Sequence, residues 1–381
     1  MIPQQIDRFR ARFPALEQRT HLASCSIAAR SVDLDQAMTA MLDDLSGPAP
    51  WPAFERRAED ARRLFAALIG AEADQVALLP NVSIAAHQAA AAISFRRRPE
   101  VLLARAEFPG VAQALAAHRR RGAQLHWIGA PRRLLTATEF LESIGHRTAL
   151  VSVPVVTYQN GQRLPVAEVA AAARAAGARV FVDAYQAVGV ERIRVRELGC
   201  DYLAAGTGKY LFGLPGLAFL YARQPDGLPP LLTGWLGRRH PHTLLPDADD
   251  FPATARRWET GTPSVPAVYA ASAGLGIVAD LDLVDVRRHV TGLVDAAARQ
   301  LAAQGERLRT APEAHARGAH LALVDPEPDR LAAWLAQRRF SIAPRGDVAR
   351  ISFHAFNHRG DIARLCEHVR QYRQATRRHR A

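Results

Sequence analysis

This chain is expected to fold as an α/β protein, with a large doubly wound, mainly parallel sheet covered by helices on both faces and a smaller α/β lobe after it. Three observations carry that expectation. Strand-like and helix-like segments alternate between Glu100 and Asp183, as a parallel sheet with crossover helices requires. The apolar run Val180-Phe181-Val182 ends on Asp183-Ala184-Tyr185-Gln186, a carboxylate at a strand end, where open α/β sheets gather ligands. A length of 381 residues with 49% apolar content exceeds the usual size of one core, so two lobes are the default.

Taken in order, Ile6 to Leu16 reads as a short amphipathic helix and Ser31 to Leu45 as another, started by a serine cap. Phe54 to Ile69 is an arginine-rich helix with apolar residues at helical spacing, Gln75 to Leu79 a short strand, and Asn81 to Ile93 an alanine-dense helix able to pack closely on a sheet. Strands over Glu100 to Ala104, Gln124 to Ile128, Thr148 to Pro154 and Arg179 to Asp183 then alternate with helices over Gly110 to Arg121, Ala137 to Ile144 and Val166 to Ala176. Leu217 to Tyr221 is a further buried strand. Past Pro263 come two long helices, Ala267 to Leu281 and Val284 to Gln304. Ala319 to Val324, Asp329 to Arg338, Val348 to His354 and Arg359 to Gln374 close the chain as strand, helix, strand, helix. The expected division is an N-terminal segment, 1–20, packing with the small lobe, a large ligand-binding domain over 21–265, and a small domain with a basic tail over 266–381.

A net charge of +12 raises the question of a nucleic-acid partner, with basic clusters at Arg96-Arg97-Arg98, Arg119-Arg120-Arg121 and from Arg370 to Arg380. No helix-turn-helix, zinc-finger or aromatic RNA-binding motif accompanies them, so they read as solvated helix ends and a disordered tail. Their field can still steer an anionic substrate. Cys25, Cys200 and Cys366 stand apart without CxxC or histidine companions, which points to neither a metal site nor a disulfide framework and fits a reducing compartment. Without a run of about 18 apolar residues or a signal-peptide core near Met1, a cytoplasmic protein with no membrane association is expected.

Among forty-nine basic side chains only one, Lys209, is lysine. A composition that replaces lysine by arginine wherever a positive charge suffices has spared it. Arginine stays protonated at ordinary pH, whereas a lysine amine can lose its proton and attack a carbonyl to form a Schiff base. Lys209 sits in Gly206-Thr207-Gly208-Lys209-Tyr210, a glycine-rich loop before a buried strand, where backbone can approach a ligand and free amides can bind an anion. It follows Asp183 by twenty-six residues, about one strand-loop-strand excursion. A strand-end Asp and a loop Lys are the pair pyridoxal phosphate needs: an amine to hold the aldehyde and a carboxylate to keep the pyridine nitrogen protonated.

Those motifs stand in order with His21-Leu22-Ala23-Ser24-Cys25-Ser26, Pro80-Asn81-Val82-Ser83, Glu107-Phe108-Pro109, Arg257-Trp258-Glu259-Thr260-Gly261-Thr262-Pro263 and Arg350-Ile351-Ser352 before Asn357. In that order, over nearly the whole chain, they resemble the class V aminotransferase family of fold-type I pyridoxal phosphate enzymes, most closely its kynureninase-like and cysteine-desulfurase-like branch. The resemblance implies a homodimer with shared active sites. It also implies roles. Asn81, Val82 and Ser83 open a helix whose amides suit the phosphate, although Ser83 could instead cap that helix. Phe108 matches the residue covering the pyridine face, with an ordinary core phenylalanine as the alternative. Gln186 resembles the residue that hydrogen-bonds the cofactor phenolic oxygen, and Thr207 could place its hydroxyl and amide on the phosphate. Thr262 matches the loop that reaches the phosphate of the partner subunit. Arg350 resembles the arginine that clamps the substrate carboxylate, and Trp235, in Gly234-Trp235, a loop near the substrate pocket, with a plain buried tryptophan as the alternative.

The expected function is therefore a pyridoxal phosphate enzyme acting on an L-α-amino acid through a Schiff base at Lys209, with Lys209 as catalytic base. An aminotransferase is favoured. A kynureninase-like hydrolase or a C–S or β-lyase is the alternative, and a non-catalytic basic binding module the alternative of another kind. Gly208 stands where kynureninases carry Tyr and many relatives His, and Gln186 where kynureninases carry His. The segment 341–347 lacks the nucleophilic cysteine of desulfurases, which argues against persulfide chemistry.

Overall fold

A computed structural model describes residues 3–378. Its strands are β1 (Thr20–His21), β2 (Val76–Leu79), β3 (Glu100–Ala104), β4 (Gln124–Ile128), β5 (Thr148–Pro154), β6 (Arg179–Asp183), β7 (Tyr202–Gly206), β8 (Ala218–Ala222), β9 (His320–Val324), β10 (Phe340–Ser341), β11 (Ala343–Arg345) and β12 (Val348–Ser352). Seven of them form the central sheet in the order β2-β8-β7-β6-β5-β3-β4, in which β8 alone runs opposite to the other six. The doubly wound, mainly parallel α/β sheet expected from the sequence is thus present.

Strand alternation divides the core in two. Leu150, Phe181, Tyr202 and Leu220 point into one buried cluster, while Val151, Val180, Leu203 and Phe219 point into the other. Helices such as Val82–Ala91 lie over the first face and Pro50–Ile69 and Val166–Ala175 over the second, as a sheet buried on both faces demands. Because the strands are short and parallel, their carboxyl ends converge on one edge, where Asp183 ends β6 and Thr207 follows β7.

The smaller sheet is antiparallel, β11-β12-β9, with Arg350 opposite Ala322 and Ser352 opposite His320. Cross-strand partners share a face, so His320, Ala322, Arg350 and Ser352 line one side, while Leu321, Leu323, Ala349 and Ile351 face the hydrophobic core. The N-terminal segment is stitched to this lobe: Thr20 and His21 pair in parallel with Phe340 and Ser341, and the Ser352 amide donates to the Leu22 carbonyl at 2.9 Å. That pairing delivers Cys25 to the large sheet edge.

Three expectations are corrected. The first helix spans Pro3–Arg10 and a separate 3-10 turn covers Pro14–Glu17, because a residue before proline is pushed out of helical geometry and Phe13 sits at φ −124°, ψ 77°. The supposed disordered basic tail continues the helix Arg359–Arg378, and Arg373 pairs there with Glu306 at 2.8 Å and with Asp325. Arg98 and Arg121, read as solvated charges, donate to carbonyls: Arg98 to Thr148 and Ala176, Arg121 to Ala90, Ala91 and Ile93, near the end of the helix Val82–Ala91. Residues 379–381 of the tail lie outside the described residues. Among those residues no single helix is long and apolar enough to cross a membrane.

Candidate active site

Lys209 projects from the loop after β7. A Cβ on Gly206 would lie 2.3 Å from the Tyr185 ring, so only glycine lets that ring pack against the strand end. The lysine Nζ then rests 4.0 Å from the Tyr185 ring centroid and 5.6 Å from that of Phe108. Burial lowers the Lys209 pKa to about 8, against the opposing pull of Asp183, and the charges of Arg350 and Arg345 lower it further. The amine is held near the pH at which it can act as a nucleophile or base.

The loop is braced by its own hydrogen bonds. The Thr207 amide donates to the Leu217 carbonyl at 3.2 Å, its hydroxyl donates to the Leu214 carbonyl at 2.5 Å, and the Gly213 amide returns to the Thr207 carbonyl at 3.0 Å. Thr207 was expected to offer hydroxyl and amide to a phosphate; both hydrogens are spent here on bracing the loop. From outside, Gly274 of the helix Val265–Ala279 presses on the loop, since a Cβ there would sit 2.0 Å from the Leu211 carbonyl oxygen. Gly274→Ala is expected to cost about 1–3 kcal/mol through overpacking and to shift the Lys209 loop, measurable as a lower melting temperature together with weaker cofactor binding. An unchanged melting temperature would show that the loop yields freely.

Asp183 is buried, and its Oδ1 accepts from the Tyr185 amide at 2.8 Å. Burial raises its pKa, while that amide and the Lys209 charge oppose the shift. Glu107, buried nearby, is pushed up to about 8 by burial and by the negative charge of Asp183. It accepts from the Ser152 hydroxyl at 2.8 Å and the Phe108 amide at 3.0 Å, which turns Phe108 toward the lysine. Burial thus pushes both carboxyls toward the neutral form, and only on Asp183 does the Lys209 charge act against that shift. Phe108 is 40% exposed and meets Tyr158 edge-on at 5.3 Å, so it is no ordinary core phenylalanine.

The helix Val82–Ala91 is capped by Asn81, whose side chain accepts from the Ile84 amide at 3.0 Å. That settles the choice left open for Ser83, which is not the cap. It also commits the Asn81 side chain to the helix. The amides of Val82 and Ser83 precede the first intrahelical bond and remain available to an anion. Ser83 Oγ would lie 2.6 Å from a Cβ on Gly110, close behind Phe108.

Gln186 donates from Nε2 to the Cys25 carbonyl at 3.0 Å, and its buried Oε1 has no partner. Arg350 is more than nine-tenths buried; Nη1 donates to the Tyr158 carbonyl at 2.9 Å, Nε to the Ala343 carbonyl at 3.3 Å, and Nη2 has no partner. Among the described residues no carboxylate forms an ion pair with it. A buried guanidinium with no carboxylate beside it is a demand for an anion. The orphaned Arg350 Nη2 fits the α-carboxylate the sequence implies, while Gln186 Oε1, an acceptor, fits a protonated phenolic oxygen of the cofactor.

Two expected residues do not join this cluster. Trp235 and Thr262 line a groove of about 480 Å³ with Trp51, Phe54, Arg62 and Glu259, a lining that includes none of Lys209, Asp183 or Arg350. Thr262 is exposed and Trp235 half-buried, so the simple buried-tryptophan alternative is set aside. Glu107, Tyr158 and His320 belong to the site but were missed as site residues. Glu107 had a signal, an acidic residue three positions past the end of an apolar strand; the other two had none.

The sequence matches the family description Aminotransferase class-V over residues 52–365. It is 33% identical over 354 residues to the uncharacterized aminotransferase YcbU of Bacillus subtilis strain 168, covering 92% of this chain and 94% of that protein. It is 32% identical over 284 residues to a kynureninase of Deinococcus radiodurans, covering 71% of this chain and 67% of that one. In fold it is similar to the apo cysteine desulfurase of Thermococcus onnurineus NA1, at a TM-score of 0.86, 18% identity and 98% coverage of each chain.

Proposed function

We propose, from the premise that this chain belongs to the class V aminotransferase family of pyridoxal phosphate-dependent enzymes, that it transfers the amino group of an L-α-amino acid. The observation that carries this reading is the sole lysine, its pKa lowered to about 8, in the electrostatic reach of a buried Asp183 and of an unpaired Arg350. When bound, the cofactor supplies an electron sink for charge developing at the substrate α-carbon. In this assignment Lys209 Nζ anchors the cofactor and accepts the α-proton, Asp183 holds a proton on the pyridine nitrogen, and Phe108 shields the ring face from water. The Val82 and Ser83 amides take the phosphate, Gln186 faces the phenolic oxygen, and Arg350 Nη2 holds the carboxylate. Trp235 and Thr262 are assigned to the neighbouring site of a homodimer, and the division at about residue 265 into two domains, like a cytoplasmic setting, is part of the same proposal.

Likeness to kynureninase favours a second reading, hydrolytic cleavage of the β-carbon bond. Incubating the reconstituted protein with a panel of L-amino acids and 2-oxo acids, and separately with kynurenine, divides the two. Amino transfer to an oxo acid supports the first reading. Release of anthranilate and alanine without an oxo acid would replace it by the second.

Asp183→Asn is expected to leave the cofactor bound while slowing turnover by about 10²- to 10³-fold, because an amide cannot hold the ring proton; an unchanged rate would remove Asp183 from the chemistry. Only the neutral amine attacks an aldehyde, so capture of added pyridoxal phosphate by the apo-protein is expected to accelerate as pH rises through about 8 and then level off. A rate that falls over that window would contradict the lowered lysine pKa.

A further inference from the structure

His320 is fully buried, yet neither ring nitrogen makes a hydrogen bond of good geometry, although the ring lies by the Tyr158 backbone. Orphaned polar atoms this deep are rare unless something absent from the protein satisfies them. The strand register explains where the ring looks. His320 sits opposite Ser352 and diagonal to Arg350, on the face of the small sheet that carries the unpaired Nη2. The turn 157–162 holds both residues from the other lobe: the Tyr158 carbonyl accepts from Arg350, the Gly161 carbonyl accepts from the Gly318 amide at 2.7 Å, and a Cβ on Gly161 would stand 3.2 Å from His320 Cδ2. Two unsatisfied groups, a guanidinium nitrogen and an imidazole, thus line one face of one small sheet.

We propose that His320 is the second arm of a carboxylate clamp, donating a ring N–H to one oxygen of the substrate α-carboxylate while Arg350 Nη2 donates to the other. This rests on the amino-acid reading above and narrows it to substrates with a free carboxylate, excluding the matching primary amines. Burial, followed by the charges of Arg350 and Lys209, holds the imidazole neutral with its pKa lowered to about 3. A neutral ring has one N–H, which turns from its poorly aligned contact with the Tyr158 carbonyl to the carboxylate oxygen without adding a second buried charge beside Arg350. It is a positioning and specificity residue, with no proton transfer assigned to it.

The test compares wild type, His320→Phe and His320→Gln, each loaded with pyridoxal phosphate, by spectral titration with L-alanine and with ethylamine, its counterpart without the carboxylate. His320→Phe is expected to keep the cofactor absorbance, to weaken L-alanine about 10- to 100-fold, and to leave ethylamine unchanged, with His320→Gln recovering part of the loss through its amide N–H. Equal L-alanine affinity in wild type and His320→Phe, or equal weakening of both ligands, overturns the clamp while leaving the amino-acid reading intact. A wild type that forms no chromophore with added cofactor overturns both. Should His320→Phe fail to fold, the imidazole nitrogen resonances of wild type, assigned with His320→Gln, decide: a shift on L-alanine and none on ethylamine supports the clamp, and no shift on L-alanine overturns it.

Discussion

Lys209→Ala is expected to abolish the visible absorbance of the cofactor-loaded protein and to lower turnover by at least about 10²- to 10⁴-fold, the range attributable to a positioned base. The effect is large because no other side chain carries a primary amine: Lys209 is the only lysine. Folding should survive the change. Lys209 makes only ring contacts through its ammonium, and removing a lysine whose pKa burial depresses deletes a cost of the native state. The sign follows from linkage. Between pH 8 and the ordinary lysine value the unfolded chain binds more protons than the folded one, so the wild type gains stability as pH rises through that window and Lys209→Ala does not. A variant that keeps the chromophore, or one that simply unfolds, would contradict this account.

Arg350→Leu is expected to weaken amino-acid binding by about 2–4 kcal/mol, or about 30- to 900-fold, while the cofactor absorbance persists. The guanidinium is held by the Tyr158 and Ala343 carbonyls in a fixed plane, so Nη2 reaches the ligand without searching. Arg350→Lys keeps the charge but loses the planar fork, and an intermediate loss is expected. Titration of the absorbance with substrate measures both. An affinity unchanged in Arg350→Leu would remove the carboxylate from this pocket and leave the buried charge without an explanation.

Much of this was legible along the chain, and for identifiable reasons. Parallel strands buried on both faces write themselves as short apolar runs, which is why Glu100–Ala104, Thr148–Pro154 and Arg179–Asp183 could be read with their boundaries nearly intact. Lys209 was conspicuous because composition had cleared away every other lysine. Where a feature arises from residues far apart, periodicity carries no trace of it. The two-residue pairing of Thr20–His21 with Phe340–Ser341 spans 320 positions, and the meeting of Tyr158, His320 and Arg350 depends on the register of β9 against β12. Thr207 shows a subtler case: its type and position suit an anion, and the curvature of the loop also brings the Leu214 and Leu217 carbonyls to its hydroxyl and amide, contacts of which the sequence carries no trace. Trp235 and Thr262 were placed by resemblance, and in a single chain they meet each other in a groove rather than meeting Lys209.

The most direct test of the central claim is to reduce the pyridoxal phosphate-loaded protein with borohydride, digest it, and locate the cofactor's mass by spectrometry. Lys209 is the only lysine, so the result is unambiguous. The added mass is expected on the peptide carrying Lys209 and nowhere else. An unmodified Lys209, or modification confined to the N-terminal amine, would contradict it.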